Sequence, residues 1–466
     1  MCAMKARSAV LLATATCLAI PAVSLAEPYL PSDPRALSMG GASTATAHGP
    51  NSVLYNPALA SPRLRRYSTG ITLATVGGSV ADREEFIDAF DEFDDSNIVD
   101  RIEVDLRAFN DTFGMIRTRI DNDEYNTSDE LQADIDLLSQ DLNVVDMTRE
   151  ELKELVGNMS DKPVTFELRG SGAFGTRIGS WGTGLHYQSR AYGGGAFLLD
   201  DADFDLVDSV FGEAAGIVGC LEDAADGNGV DDQRLQECRD LDLPDEQTAD
   251  NFLSEFQFQG AVLSEFGLTL ARDFNVGGRT LAVGFTPKQV EVSTYDYIVR
   301  VQDEDDVDIE DREQTHSNVN LDLGFAMPIT EQLRIGASIR NLLSQSYGTV
   351  EGNEIRLEPQ VRVGVSYDRR FYTLAADLDL TENRPMGFGP ETRFLALGGE
   401  LHPLSWLHLR AGYRFNLASS DLIDDVASVG FGLSPGPLQF DVGVAGNDNE
   451  VAGYLQFGFV FGARHY

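Results

Sequence analysis

Histidine, tryptophan and cysteine are scarce in this chain: six, two and four residues out of 466. The six histidines are scattered, and neither an HExxH nor a GxSxG motif occurs. No catalytic centre, metal site or cofactor is therefore expected, and the chain is read as a non-enzyme. Basic residues are also short, with 35 Lys and Arg against 75 Asp and Glu, a formal net charge of −40. A nucleic-acid surface needs clustered Lys and Arg, so nucleic acid is not expected as a partner. After the first 26 residues no apolar stretch resembles a transmembrane helix, which needs about 20 consecutive apolar residues.

What the chain does have begins with an export signal. Lys5 and Arg7 precede the apolar "SAVLLATATCLAI", and Ser24-Leu25-Ala26 is a small-x-small cleavage site. Residues 1–26 are read as a signal peptide. Its removal takes Cys2 and Cys17 and leaves Cys220 and Cys238. A pair in an exported protein suggests one disulfide, the alternative being two free thiols. Their spacing excludes a CxxC redox site. Glycine is abundant, at 45 residues, and suits tightly curved sheet.

The C-terminal half alternates with period two. "LHLRAGYRFNL" sets Leu407, Leu409, Ala411, Tyr413, Phe415 and Leu417 on one face and His408, Arg410, Gly412, Arg414 and Asn416 on the other. "IRLEPQVRVGVSY", "LRIGASIR", "VNLDLGFAM" and "LQFDVGVAG" repeat the pattern. About fourteen such strands are expected, centred near Ile71, Phe166, Leu185, Phe266, Val283, Leu321, Ile335, Val361, Leu374, Leu397, Leu409, Phe431, Phe440 and Phe457. A soluble sandwich would turn the apolar faces inward, whereas an outer-membrane barrel turns them toward lipid. Long acidic connections alternate with tight turns such as "TRIGSWG", "PITEQ" and "HPLSW". That sorting marks a transmembrane antiparallel β-barrel, an all-β fold class. The last strand, with Leu455, Phe457, Phe459 and Phe461 in phase, resembles the signal read by the barrel-assembly machinery.

Two inserts interrupt the strands. Residues 82–162 switch to helical spacing, with Ile102, Leu106, Phe109, Phe113, Ile116 and Ile120 on one stripe and Leu131, Ile135, Leu138, Leu142 and Val145 on another. An antiparallel helical pair is expected, its stripes facing each other. Residues 197–255 are expected to form a loop insert carrying Cys220 and Cys238.

Before the first strand lies "ALSMGGASTATAHGPNSVLYNPALA", Ala36 to Ala60, nearly free of charge. Asn56 can cap a helix whose first residue is Pro57, and Ala58 permits close packing. Gly40 and Gly41 let the backbone turn in a narrow space. This stretch resembles the N-terminal segment of the FadL-like family of outer-membrane barrels, and the long insert after strand one is similar to the TraF-type conjugal transfer branch. The resemblance implies a hatch over residues 27–63, with Gly40, Gly41, Asn56, Pro57 and Ala58 at its centre. The barrel of 64–466 would have fourteen strands. It also implies uptake of long-chain fatty acids and other hydrophobic small molecules. The branch name is shared with a thioredoxin-like periplasmic factor, which the absence of CxxC sets apart.

Alternation assigns Asp322, Arg334, Arg340, Arg356, Glu358, Arg362, Asp377, Asp379, Arg410 and Arg414 to the lumen. Two readings stand: a site for an anionic head group, carried by Arg356, Arg362, Arg410 and Arg414, or a cross-strand ion-pair network that fills the barrel. "DGNGVDD" from Asp226 matches only part of a calcium loop, because Ala224 and Leu235 fall where ligands are needed. Two functions are carried forward. One is passive transport or binding of a hydrophobic small molecule in the outer membrane of a Gram-negative bacterium, among lipid and lipopolysaccharide. The other is a surface-docking or assembly role in conjugal transfer or secretion, with a protein partner.

Overall fold

The computed structural model describes residues 30–225, 229–241, 253–300, 313–350, 352, 354–383, 391–418 and 425–462. The expected signal peptide and the residues Asp226 and Asn228 of the partial calcium loop lie outside them.

Fourteen antiparallel strands close into a barrel. They are β1 (Thr69–Asp82), β2 (Val164–Ile178), β3 (Trp181–Leu198), β4 (Glu255–Val276), β5 (Arg279–Arg300), β6 (Glu313–Pro328), β7 (Leu333–Arg340), β10 (Gln360–Asp368), β11 (Tyr372–Asp379), β12 (Phe394–Leu404), β13 (Leu407–Asn416), β14 (Val426–Leu433), β15 (Leu438–Gly446) and β16 (Glu450–Phe461). Each expected strand centre falls in one of them. Closure pairs β1 with β16, in a ladder from Thr69↔Phe461 to Ala81↔Glu450. Alternation holds because each strand separates two environments. Leu168, Phe266, Val319, Leu409 and Leu455 are exposed on the outside, a surface suited to lipid rather than water. The inward phase carries charge, as with Glu265, Lys288, Arg362 and Asp377, all buried.

The wall is uneven. β7, β10 and β11 have eight, nine and eight residues, about what a tilted strand needs to cross a bilayer. β4 and β5 have 22 each and rise well beyond it. The tight turns, such as those at Gly277-Gly278 and Ser405-Trp406, lie at the end where β1 starts and β16 finishes; the inserts lie at the other end.

Both inserts are helical and fold together. The first holds α2 (Phe86–Ser96), α3 (Ile98–Asp121) and α4 (Ser128–Met159). Asp82 accepts from the Phe86 and Ile87 amides, both at 2.8 Å, and Thr127 caps α4 through the Glu130 amide. The second insert, expected as a loop, contains α5 (Asp201–Ala224) and α6 (Asp232–Arg239). The stripes of α3 and α4 do face each other, but their core also takes Ala214, Ile217, Val218 and Leu221 from α5 and Leu235 and Cys238 from α6. A helical pair alone would leave that third side apolar and wet. The Cys220–Cys238 disulfide joins α5 to α6.

One strand expectation fails. "IRLEPQVRVGVSY" is broken at Glu358-Pro359. β9 (Glu354–Leu357) pairs instead with β8 (Gln345–Gly348) in a separate hairpin. Pro359 has no amide hydrogen to give a ladder. Ile355 and Leu357 then turn inward with Tyr347, covering Ala261, Leu263, Val290 and Val292 on the inner face of β4 and β5.

Candidate functional site

The lumen at the tight-turn end is filled by residues 30–68. The segment contains α1 (Pro34–Ser38) and two 3-10 turns, Pro50–Leu54 and Pro57–Ala60. Asp33 caps α1 through the Ala36 amide at 2.9 Å. From Pro31 to Ala47 every residue is buried. The small residues from Gly40 to Ala47 suit the part of it where backbone lies close against the wall.

Gly40, Gly41, Asn56, Pro57 and Ala58, the residues expected to form a hatch, all lie in this segment. Asn56 Oδ1 accepts from the Ala58 amide at 3.0 Å, which is the cap expected. Its Nδ2 also donates to the Thr44 carbonyl at 2.8 Å and to the Phe325 carbonyl of β6 at 3.1 Å. One amide thus closes the turn, ties two parts of the segment and anchors it to the barrel. Gly40 has φ +65°, and a Cβ there would lie 2.6 Å from the Tyr413 carbonyl oxygen. The wall yields as well. A Cβ at Gly324 would fall 2.7 Å from the Ala58 nitrogen, and one at Gly412 would fall 2.7 Å from Met39 Cα.

Charged groups make further attachments. Asp377 Oδ2 accepts from the Ser43 and Thr44 amides, both at 2.7 Å. Arg35 donates through Nε to Glu400 at 2.7 Å and through a terminal nitrogen to Thr46 Oγ1 at 3.2 Å. Glu400 also takes Arg410 Nε at 3.0 Å, and Arg410 reaches Asp441 at 2.7 Å. Higher in the lumen, Glu265 gathers Arg190 at 2.9 Å and Lys288 at 3.2 Å, and Lys288 meets Asp322 at 3.0 Å.

Three of the four expected head-group cations point into the lumen. Arg362 grips Asp379 with both ends of its guanidinium, one contact at 2.9 Å. Arg410 is held as above, and Arg414 meets Glu450 at 3.2 Å with its guanidinium 4.6 Å from the centre of the Phe394 ring. Each is neutralised by a carboxylate, which favours the ion-pair network over an open anion site. Arg356 is a correction: it sits on the exposed edge of the β8–β9 hairpin beside Glu354 at 3.3 Å. Glu358 leaves the wall for the same reason, the break at Pro359.

Sequence reasoning missed Arg35 and Glu400. Glu400 was within reach, since it shares the polar phase of "LGGELHPL" with His402. At the tight-turn end a cavity of about 430 Å³ opens between segment and wall, lined among others by His48, Tyr67, Glu400, His402, His408 and Asp441.

A family profile described as "F plasmid transfer operon, TraF, protein" matches residues 53–379. No curated relative matches the sequence. Among solved structures, a deltaS2S3 mutant of the TodX monoaromatic hydrocarbon channel is similar, with 9% identity, a TM-score of 0.49, and 91% of this chain and 98% of that chain covered. The Ralstonia pickettii toluene transporter TbuX has 12% identity and a TM-score of 0.45 over 92% of this chain and 98% of that one. The P. putida toluene transporter TodX has 9% and 0.43 over 93% and 99%.

Proposed function

The chain belongs to the family described as "F plasmid transfer operon, TraF, protein", and on that premise we propose that it is a passive outer-membrane channel or binding protein for hydrophobic small molecules, long-chain fatty acids among them. Residues 30–68 act as its hatch. The observation that carries this reading is the filled lumen: a segment held by hydrogen bonds and ion pairs, with no covalent tie other than its own chain, occupies the barrel where a solute must pass. Above it the inner wall is apolar at Ala261, Leu263, Val290 and Val292, covered by the β8–β9 hairpin. A solute that displaces Tyr347, Ile355 and Leu357 from that patch meets a hydrophobic surface before it meets the hatch.

The setting is the outer membrane of a Gram-negative bacterium, in contact with lipid and lipopolysaccharide after insertion by the barrel-assembly machinery. The tight turns face the periplasm and the helical inserts face outward. The chain works without catalysis, cofactor or nucleic acid. A strain lacking it should take up labelled oleate, alkanes or monoaromatics more slowly than its parent. Equal uptake of all three classes would remove the transport reading.

A surface-docking role in conjugal transfer or secretion is the second reading, and the insert favours it. α3 to α6 build a core of their own and leave Val99, Val104, Val144 and Met147 exposed, more structure than a loop over a channel requires. Replacing 83–163 and 199–254 together by short linkers separates the two roles. Both must go, because removing one insert bares the core of the other. Uptake lost with surface partners kept supports transport, and the reverse supports docking.

A further inference from the structure

We propose that Glu400, His402 and His408 form a binding site for a borderline transition-metal dication, with zinc as the reference ion, at the tight-turn end of the lumen. Three of the chain's six histidines, His48, His402 and His408, line one cavity. That gathering is invisible in the sequence, where they are far apart or separated by a turn. Glu400 and His402 lie in phase on β12 and His408 on β13, so the short hairpin brings all three to the same inner face.

One ligand atom from each of the three lies within 4.8 Å of the others. His402 Nε2 is 2.6 Å from Glu400 Oε1, and His408 Nδ1 faces that same oxygen at 3.4 Å. The two carboxylate oxygens divide their work. Oε2 takes Arg35 and Arg410, which leaves Oε1 to the imidazoles.

A second observation points to a ion between them. His408 Nδ1 is buried and completes no hydrogen bond among the described residues, while its Nε2 is fixed 3.0 Å from Ser434 Oγ. An imidazole steered by one nitrogen, with the other aimed unpaired at a carboxylate oxygen, is the arrangement found around metal ligands. From the hatch side, His48 Nδ1 is likewise buried beside this cavity, without a hydrogen-bond partner among the described residues.

The donor set selects the class of ion. Two imidazole nitrogens and one carboxylate oxygen suit zinc, copper or nickel. Calcium and magnesium prefer shells of oxygen, which two imidazoles do not supply. The cavity of about 430 Å³ leaves room for water as the remaining ligand.

The test uses the untagged full chain in detergent, stripped with chelator and dialysed against zinc chloride. Bound zinc is then measured by elemental mass spectrometry. The expected result is about one ion per chain, with affinity weakened roughly tenfold or more in His402→Ala and His408→Ala. His316→Ala, at the other end of the barrel, should bind as the parent does. His402→Gln, which keeps a hydrogen-bonding side chain, should also lose zinc. Heat-modifiability on gels shows that each variant is folded. Cobalt substitution should give a visible absorption band in the parent that His408→Ala lacks. No stoichiometric zinc in the parent, or zinc retained unchanged by the His402→Ala/His408→Ala double variant, would overturn the site. The histidines would then be a hydrogen-bonded brace for Glu400.

Discussion

Asn56→Asp separates two accounts of the Asn-Pro-Ala turn. Asp is as good a helix cap as Asn, so if capping were the whole reason for Asn56, the change would be silent. The structure gives Nδ2 two further duties, to the Thr44 carbonyl at 2.8 Å and the Phe325 carbonyl at 3.1 Å. Aspartate cannot donate to either and brings a negative charge against both. Leaving one buried carbonyl unpaired costs about 1–3 kcal/mol. Phe325 also sits in the β6 ladder, so its loss should lie at the low end of that range. Together the hatch should lose about 2–4 kcal/mol of docking free energy, while the barrel ladder is untouched.

Hydrogen exchange read by mass spectrometry on the detergent-solubilised protein measures this directly. If the hatch exchanges through local opening, 3 kcal/mol corresponds to exchange roughly 100-fold faster in peptides covering residues 50–62. Peptides from β13 and β16 should exchange at the parent rate. Asn56→Ala, which also loses the cap, should exchange quickly too. The reasoning is refuted if Asn56→Asp protects the hatch as well as the parent does while Asn56→Ala does not, since capping would then be the residue's only role.

Three other expectations follow from the inserts. Cys220→Ser removes a link worth about 3 kcal/mol by the chain-entropy model; because Cys238 lies in the core shared by α3, α4 and α5, protease sensitivity should rise in both inserts, with heat-modifiability of the barrel unchanged. A cysteine placed at the exposed Asn126 should react with an impermeant maleimide on intact cells, whereas one at Arg370 in the β10–β11 turn should not; the opposite pattern inverts the topology. Lys153 donates to both oxygens of Asp208, at 3.0 and 2.8 Å, and with Arg149 holds that carboxyl below its ordinary value. A depressed carboxyl contributes stability above its unfolded pKa, about 3.9, and loses it as the pH falls through the lower folded value. Insert melting should therefore be flat from neutral pH to about 4 in this respect and weaken in more acid buffer, with Asp208→Asn showing a smaller acid effect.

The wall was legible because lipid outside and charge inside force a strict alternation, and a one-residue slip would reverse every side chain. The α3 and α4 stripes were legible by the same logic at a period near 3.6. α5 was not, although Ala214, Ile217, Val218 and Leu221 keep helical spacing. Gly212, Gly216 and Gly219 interrupt it, each costing a helix about 1 kcal/mol relative to alanine. Packing against α3 and α4 outweighs that cost, and packing between inserts separated by two strands leaves no local trace. Ion pairs divide in the same way. Arg362 and Asp379 are direct partners across the β10–β11 hairpin, and Glu400 and Arg410 across β12–β13. Counting outward from each tight turn would have found both pairs. Arg35 with Glu400, 365 residues apart, needed the hatch inside the barrel before the two could be seen as neighbours.

Glycine carries the least expected lesson. Its abundance suggested curvature, yet Gly324 and Gly412 face the backbone of Ala58 and Met39 so closely that a Cβ would collide with it. These positions have no need of glycine in an empty barrel, where a polar side chain could fill the lumen. The wall is therefore shaped around the hatch at these points, and the small residues from Gly40 to Ala47 fit the hatch to the wall. Backbone-to-backbone contact of this kind is joined by apolar contacts, those of Met39 and Ala42 with Ala375 and Ala396 and of Val53 and Ala60 with Ala271. Directional attachments are spread around the wall: Asn56 on the Phe325 carbonyl, Asp377 on two amides, Arg35 on Glu400, Asn51 on Gln456, Arg65 on the Thr183 carbonyl and Arg66 on Asp368. Losing one such point, as in Asn56→Asp, should therefore loosen the hatch locally and leave the rest of it seated against the wall.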